Sequence, residues 1–101
     1  MIAIINQLFE IEQKLQARAD NLADRNFKRI YHELETEGYQ VINPINRPYN
    51  ETDTDLEATL SGDMSGKLVV TRVLKPVIYQ QQAGQTQLLQ KGIVIVEGTK
   101  A

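Results

Sequence analysis

Residues 1–37 read MIAIINQLFE IEQKLQARAD NLADRNFKRI YHELETE, and the fold turns on whether they make one helix or two. Apolar or small side chains recur at Ile4, Leu8, Ile11, Leu15, Ala19, Ala23, Phe27, Ile30 and Leu34, in steps of three and four, with charged and amide side chains between them. That is the period of one helix face. Neither Gly nor Pro interrupts the run before Gly38, which takes the left-handed conformation that closes a helix more easily than any other residue. The spacing therefore predicts one continuous rod of about 50 Å, at about 1.5 Å per residue. A helical hairpin is the alternative, with Asn21 capping a second helix and Asp24 at its third position. The Ala19-Asp20-Asn21 junction, however, has no strong breaker to turn the chain. A rod of that length projects from a domain whose radius of gyration is about 13 Å. Its narrow stripe then needs another helix to cover it, most simply one from a second copy of the chain. Leu8, Ile11, Leu15, Leu22, Phe27 and Ile30 are the expected dimer seam. The steps are longer on average than those of a heptad, so a strongly left-handed supercoil is not specified.

With 101 residues, 42% of them hydrophobic and 24% charged, the chain has the make-up of one ordinary soluble domain. Zero Cys and a single His, His32, exclude a disulfide framework, a thiolate metal site and a histidine-rich metal site within one chain. No apolar run approaches the roughly 20 residues of a membrane-spanning helix. Met1-Ile2-Ala3-Ile4-Ile5 is too short, and lacks the basic flank, for a signal peptide. The cytoplasm is the expected compartment. The formal net charge of −2 hides a division: Met1–Asp63 carries twelve acids against six bases, and Met64–Ala101 five bases against one acid. The scattered positive charges of the second part are too few for nucleic acid but suit an acidic protein surface.

Beyond Gly38 the pattern changes, which divides the chain into a helical dimerisation segment, residues 1–37, and a small β-domain, residues 38–101. Tyr39–Ile45 opens as a β-like stretch, and Pro44, Asn46, Pro48 and Asn50 mark an irregular connection. Leu56–Leu60 reads as a short strand, Ser61–Gly66 as a loop, and Lys67–Tyr79 as a longer strand. A glutamine-rich turn around Ala83-Gly84 and a strand from Leu88 to Val96 complete a β-hairpin. Both long strands carry apolar residues on both faces, so each face needs cover.

Candidate chemistry is sparse. Glu51, Asp53, Asp55 and Glu57 alternate, and on a strand they would share a face and could hold a hard cation. A calcium loop read from Asp53 fails, with Ala58 where Gly is required and Met64 where Glu is required. A solvated acidic loop is the expectation. His32 has no Ser or Cys partner in view, and there is no glycine-rich phosphate loop. The sequence predicts no catalytic residue, no metal, no cofactor and no enzyme.

Gly38-Tyr39-Gln40-Val41-Ile42, Asn46-Arg47-Pro48-Tyr49-Asn50, Gly66-Lys67-Leu68-Val69, Val73-Leu74-Lys75-Pro76 and Ile93-Val94-Ile95-Val96 follow one another in an order that resembles the β-head of the GrpE family. The resemblance covers about residues 25 to 101. It implies an α+β fold: a long N-terminal helix pairing in a coiled-coil-like homodimer, then a small all-β head. It implies a nucleotide exchange factor that binds the ATPase domain of a DnaK-type chaperone and promotes ADP release by favouring the open state. Partner contacts then fall on Val73, Leu74, Lys75 and Val96, and on Gln87, where the family often has an Arg. The loss of that Arg and the short helical part motivate the other reading, a non-catalytic binding or scaffolding dimer with a different partner.

Overall fold

The computed structural model describes residues 1–63 and 65–99. Met64, which falls in the predicted Ser61–Gly66 loop, and the terminal Lys100 and Ala101 lie outside the described residues. The first 37 residues make two short helices, α1 (Ile2–Ala17) and α2 (Asp24–Thr36), and not the predicted rod. No long coiled-coil helix exists among the described residues, whose extents are 41 × 36 × 20 Å. The break is a Schellman motif. The Asp20 N–H donates to the Leu15 carbonyl and the Ala19 N–H to the Gln16 carbonyl, both at 2.9 Å, while Ala19 sits in the left-handed region at φ 54°. For a non-glycine residue that conformation costs about 1–2 kcal/mol, and the sequence carries no warning of it because alanine is the best helix former. The Asp20 carboxylate accepts the Leu22 N–H at 3.1 Å, and α2 starts after Ala23 rather than at an Asn21 side-chain cap.

Tertiary contacts hold the break. Ile5, near the start of α1, and Leu34, near the end of α2, are buried in one cluster with Ile78, and the Tyr31 hydroxyl donates to Glu12 at 2.9 Å, so the helices run antiparallel. Burial first, and then the Glu12 carboxylate, raise the Tyr31 hydroxyl well above the usual phenol range.

The rest of the chain forms β1 (Tyr39–Ile42), β2 (Leu56–Leu60), β3 (Lys67–Lys75), β4 (Val77–Gln82), β5 (Gln85–Gln90) and β6 (Gly92–Thr99). They make two three-stranded sheets, β1-β4-β5, all antiparallel, and β2-β6-β3, in which β2 runs parallel to β6. Strand alternation assigns the layers. Tyr39, Val41, Ile78 and Leu89 turn to the helices, where Ile5 and Leu34 meet them; Ile42, Val77, Tyr79 and Leu88 turn to the second sheet, against Leu56, Val70, Val94 and Val96. The first sheet is thus sandwiched between the helix pair and the second sheet.

The predicted hairpin exists but is bent. Its arms run along the second sheet as β3 and β6, turn at Pro76 and Lys91-Gly92, and continue into the first sheet as β4 and β5. The fold-over buries one face of the second sheet, at Val70, Val94 and Val96, and leaves Leu74 on β3 exposed. Gly92 makes the corner possible: a Cβ there would lie 2.9 Å from Val77 Cγ2 and 3.0 Å from Leu56 Cδ2.

Candidate binding surface

Successive side chains Phe9, Gln13 and Ala17 stand in one row on α1, at the i, i+4 spacing that stacks residues along a helix face. They face Ile45 and the C-terminal half of β3 across a groove of about 580 Å³. Phe9 is buried and lines its apolar floor; Thr71, Val73 and Leu74 line the opposite wall, where Leu74 is 49% exposed. The Gln13 side-chain nitrogen Nε2 is buried there without a hydrogen-bond partner among the described residues. An unmade bond at such a donor costs about 1–3 kcal/mol, which a turn of the Gln13 side chain toward an acceptor placed in the groove would recover.

The β3 wall is a strand edge. Over its first half that edge is closed: Asn46 N–H donates to the Val70 carbonyl, Val70 N–H to the Arg47 carbonyl and Tyr49 N–H to the Leu68 carbonyl, each at 2.9 Å. Over Thr71–Lys75 the same edge takes no backbone bond from another segment among the described residues. Arg72 and Lys75 are exposed at this open half and form no ion pair among the described residues, and Lys14 on the helix side pairs with Glu10 at 3.4 Å.

The loop that closes the first half is locked by the acidic run. Arg47 grips Asp55 with both guanidinium nitrogens, at 3.0 and 2.7 Å, and reaches Asp53 at 3.6 Å. The Tyr79 hydroxyl adds a bond to Asp55 at 3.4 Å. Hydrogen bonding to Arg47, ahead of the opposing effect of burial, holds the Asp55 carboxyl below the usual carboxylate range. Burial, reinforced by Asp55, pushes the Tyr79 hydroxyl up. Two of the four alternating acids are therefore ion-paired in the fold. Glu51 and Glu57 are exposed, and no group of three metal-binding side chains exists among the described residues. His32 is exposed on α2.

Of the residues expected to meet a partner, Val73 and Leu74 line the groove and Lys75 is exposed at the end of β3. Gln87 is exposed on β5, in the other sheet, and Val96, on the central strand of the second sheet, is fully buried in the core between the sheets. The six helix residues do not make one seam. Phe27 is buried and Leu8 packs against Ile5, Leu34 and Ile78, whereas Ile11 is 50% and Leu22 89% exposed, Ile30 is less exposed than either and Leu15 is half-buried. Phe9, Gln13, Ile45 and Arg72 were not singled out by the sequence. A second apolar row, Ile5 and Phe9 beside Ile4 and Leu8, is the signal that points to α1 having two apolar faces.

No family model, curated protein or solved structure matches the chain. No described helix is long and apolar enough to cross a membrane.

Proposed function

We propose that this chain is a non-catalytic protein-binding module that takes an extended peptide segment in the groove between α1 and β3. One observation carries the reading: an unpaired strand edge, Thr71–Lys75, borders an apolar floor at Phe9 and an unpartnered donor at Gln13. A peptide strand laid on such an edge gains main-chain hydrogen bonds, and a pocket for its alternate side chains gives selectivity. Arg72 and Lys75 select acidic residues flanking the apolar anchor. The exchange role implied by the GrpE resemblance relies in that family on a long paired helix, and α1 and α2 are 16 and 13 residues.

The test is selection of peptides from a random display library on the immobilised protein, followed by amide shift mapping with an enriched peptide. Enriched peptides should combine an apolar anchor with acidic neighbours and move the amides of Thr71–Lys75. Leu74→Asp should weaken binding at least about tenfold, the equivalent of about 1.4 kcal/mol. No enrichment, or shifts confined elsewhere, overturns the reading. Accelerated release of a fluorescent ADP analogue from a DnaK-type chaperone would replace it with nucleotide exchange.

A further inference from the structure

The two sheets have four edge strands, β1, β5, β2 and β3, and three of them are blunted. β1 has four residues and runs into Asn43-Pro44. β2 has five and carries the exposed Glu57, so two copies of it repel. β3 is closed over its first half by the 46–49 segment, and its open half, Thr71–Lys75, shifts register and carries the exposed Arg72 and Lys75, which repel a second copy of the same edge. Short length, proline, like charge, bulges and covering loops are the devices by which sheet edges avoid one another.

The β5 edge has none of these over Gln85–Leu88. Its ladder with β4 is regular there, and Gln85, Thr86 and Gln87 are exposed. It lies in the longest stretch of the chain without a charged residue, 76–90. Gln82 and Gln85 flank the two-residue turn Ala83-Gly84, whose φ values of 53° and 78° give it the hand that suits a tight hairpin. Residues flanking such a turn form a hydrogen-bonded pair, each N–H donating to the other's carbonyl, so the next residue points its N–H the other way. The pattern is visible on β4: Gln81, the partner of Thr86, donates outward to the Gly38 carbonyl at 2.7 Å. By the same alternation Thr86 and Leu88 present their N–H groups to the open edge.

We propose that β5 pairs antiparallel with β5 of a second copy of this chain about a twofold axis, joining the two β1-β4-β5 sheets into one six-stranded sheet. A twofold axis sets an edge against itself, so it requires the absence of like charge that β5 shows. Among the described residues β5 is then the edge that can pair with its own copy, so the assembly closes at two copies. The surface is separate from the α1–β3 groove.

Sedimentation equilibrium over a concentration series tests the assignment. The expected result is reversible association to twice the 11.5 kDa of the single chain. Thr86→Pro removes an outward N–H while leaving the β4 ladder donors in place, and Thr86→Lys adds a charge at the edge; each should weaken association at least tenfold, with the circular dichroism spectrum unchanged for Thr86→Lys. Leu74→Asp should leave it intact. A monomer at every concentration, a dimer that Thr86→Lys does not weaken, or growth into open-ended species overturns the proposal.

Discussion

Substituting Ala19 by Gly tests the fold through the sign of its effect. In a continuous helix position 19 would be interior, and exchanging Ala for Gly there costs about 1 kcal/mol. In the structure Ala19 occupies the left-handed region at φ 54°, one residue past the Arg18 C-cap of α1. Relief of the side-chain clash with the following carbonyl is worth about 1–2 kcal/mol. The greater freedom of glycine in the unfolded chain returns about 0.4–1 kcal/mol of that. The net expectation is a gain centred near about 0.8 kcal/mol, within about 0–1.6 kcal/mol, and the central value is an upward shift of about 3–6 °C in Tm for a domain of this size. The exposed Lys28, inside α2, is the control: Lys28→Gly should lower stability, since there glycine loses helix propensity without relieving strain. Thermal unfolding followed by circular dichroism at 222 nm, a standard helix wavelength, together with urea titration, reads both. A fall in Tm for Ala19→Gly similar to that for Lys28→Gly would refute the break between α1 and α2.

Two further substitutions probe the β-region. Gly92→Ala should destabilise by about 1–3 kcal/mol, as overpacking does, because the new methyl would meet Val77 Cγ2 at 2.9 Å where carbon atoms ordinarily sit 3.5–4.0 Å apart; urea titration checks this, and wild-type stability would refute the tight corner. Asp55→Asn should cost about 1–2 kcal/mol at neutral pH, between an exposed ion pair and a charged hydrogen bond. Because the folded carboxyl is held below its ordinary value of 3.8, its contribution is complete above that value and is lost as pH falls through the lowered one. Urea titrations should therefore show the gap between variant and wild type closing in acid, and a gap that persists there would place its origin outside the Arg47–Asp55 ionic bond.

The hairpin was legible because Ala83-Gly84 is a turn signal between apolar runs, and Leu56–Leu60 forms a strand over the residues expected of it. The groove was legible only at Val73 and Leu74; its helix wall was hidden because the stripe through Ile4, Leu8 and Ile11 drew attention away from Phe9. Local sequence, by its periodicity and turn chemistry, determined which stretches are helical, which are extended and where the hairpin tip lies. It could not determine the break at Ala19, the bend at Gly92 or the pairing of Arg47 with Asp55. Each of these depends on partners distant along the chain or on strain that only packing offsets: the shared burial of Ile5 and Leu34 and the Tyr31 bond to Glu12 hold the helices antiparallel, and Val77 with Leu56 crowds the corner. Where a strained local conformation is outweighed by burial, propensity points the wrong way, and tertiary structure decides.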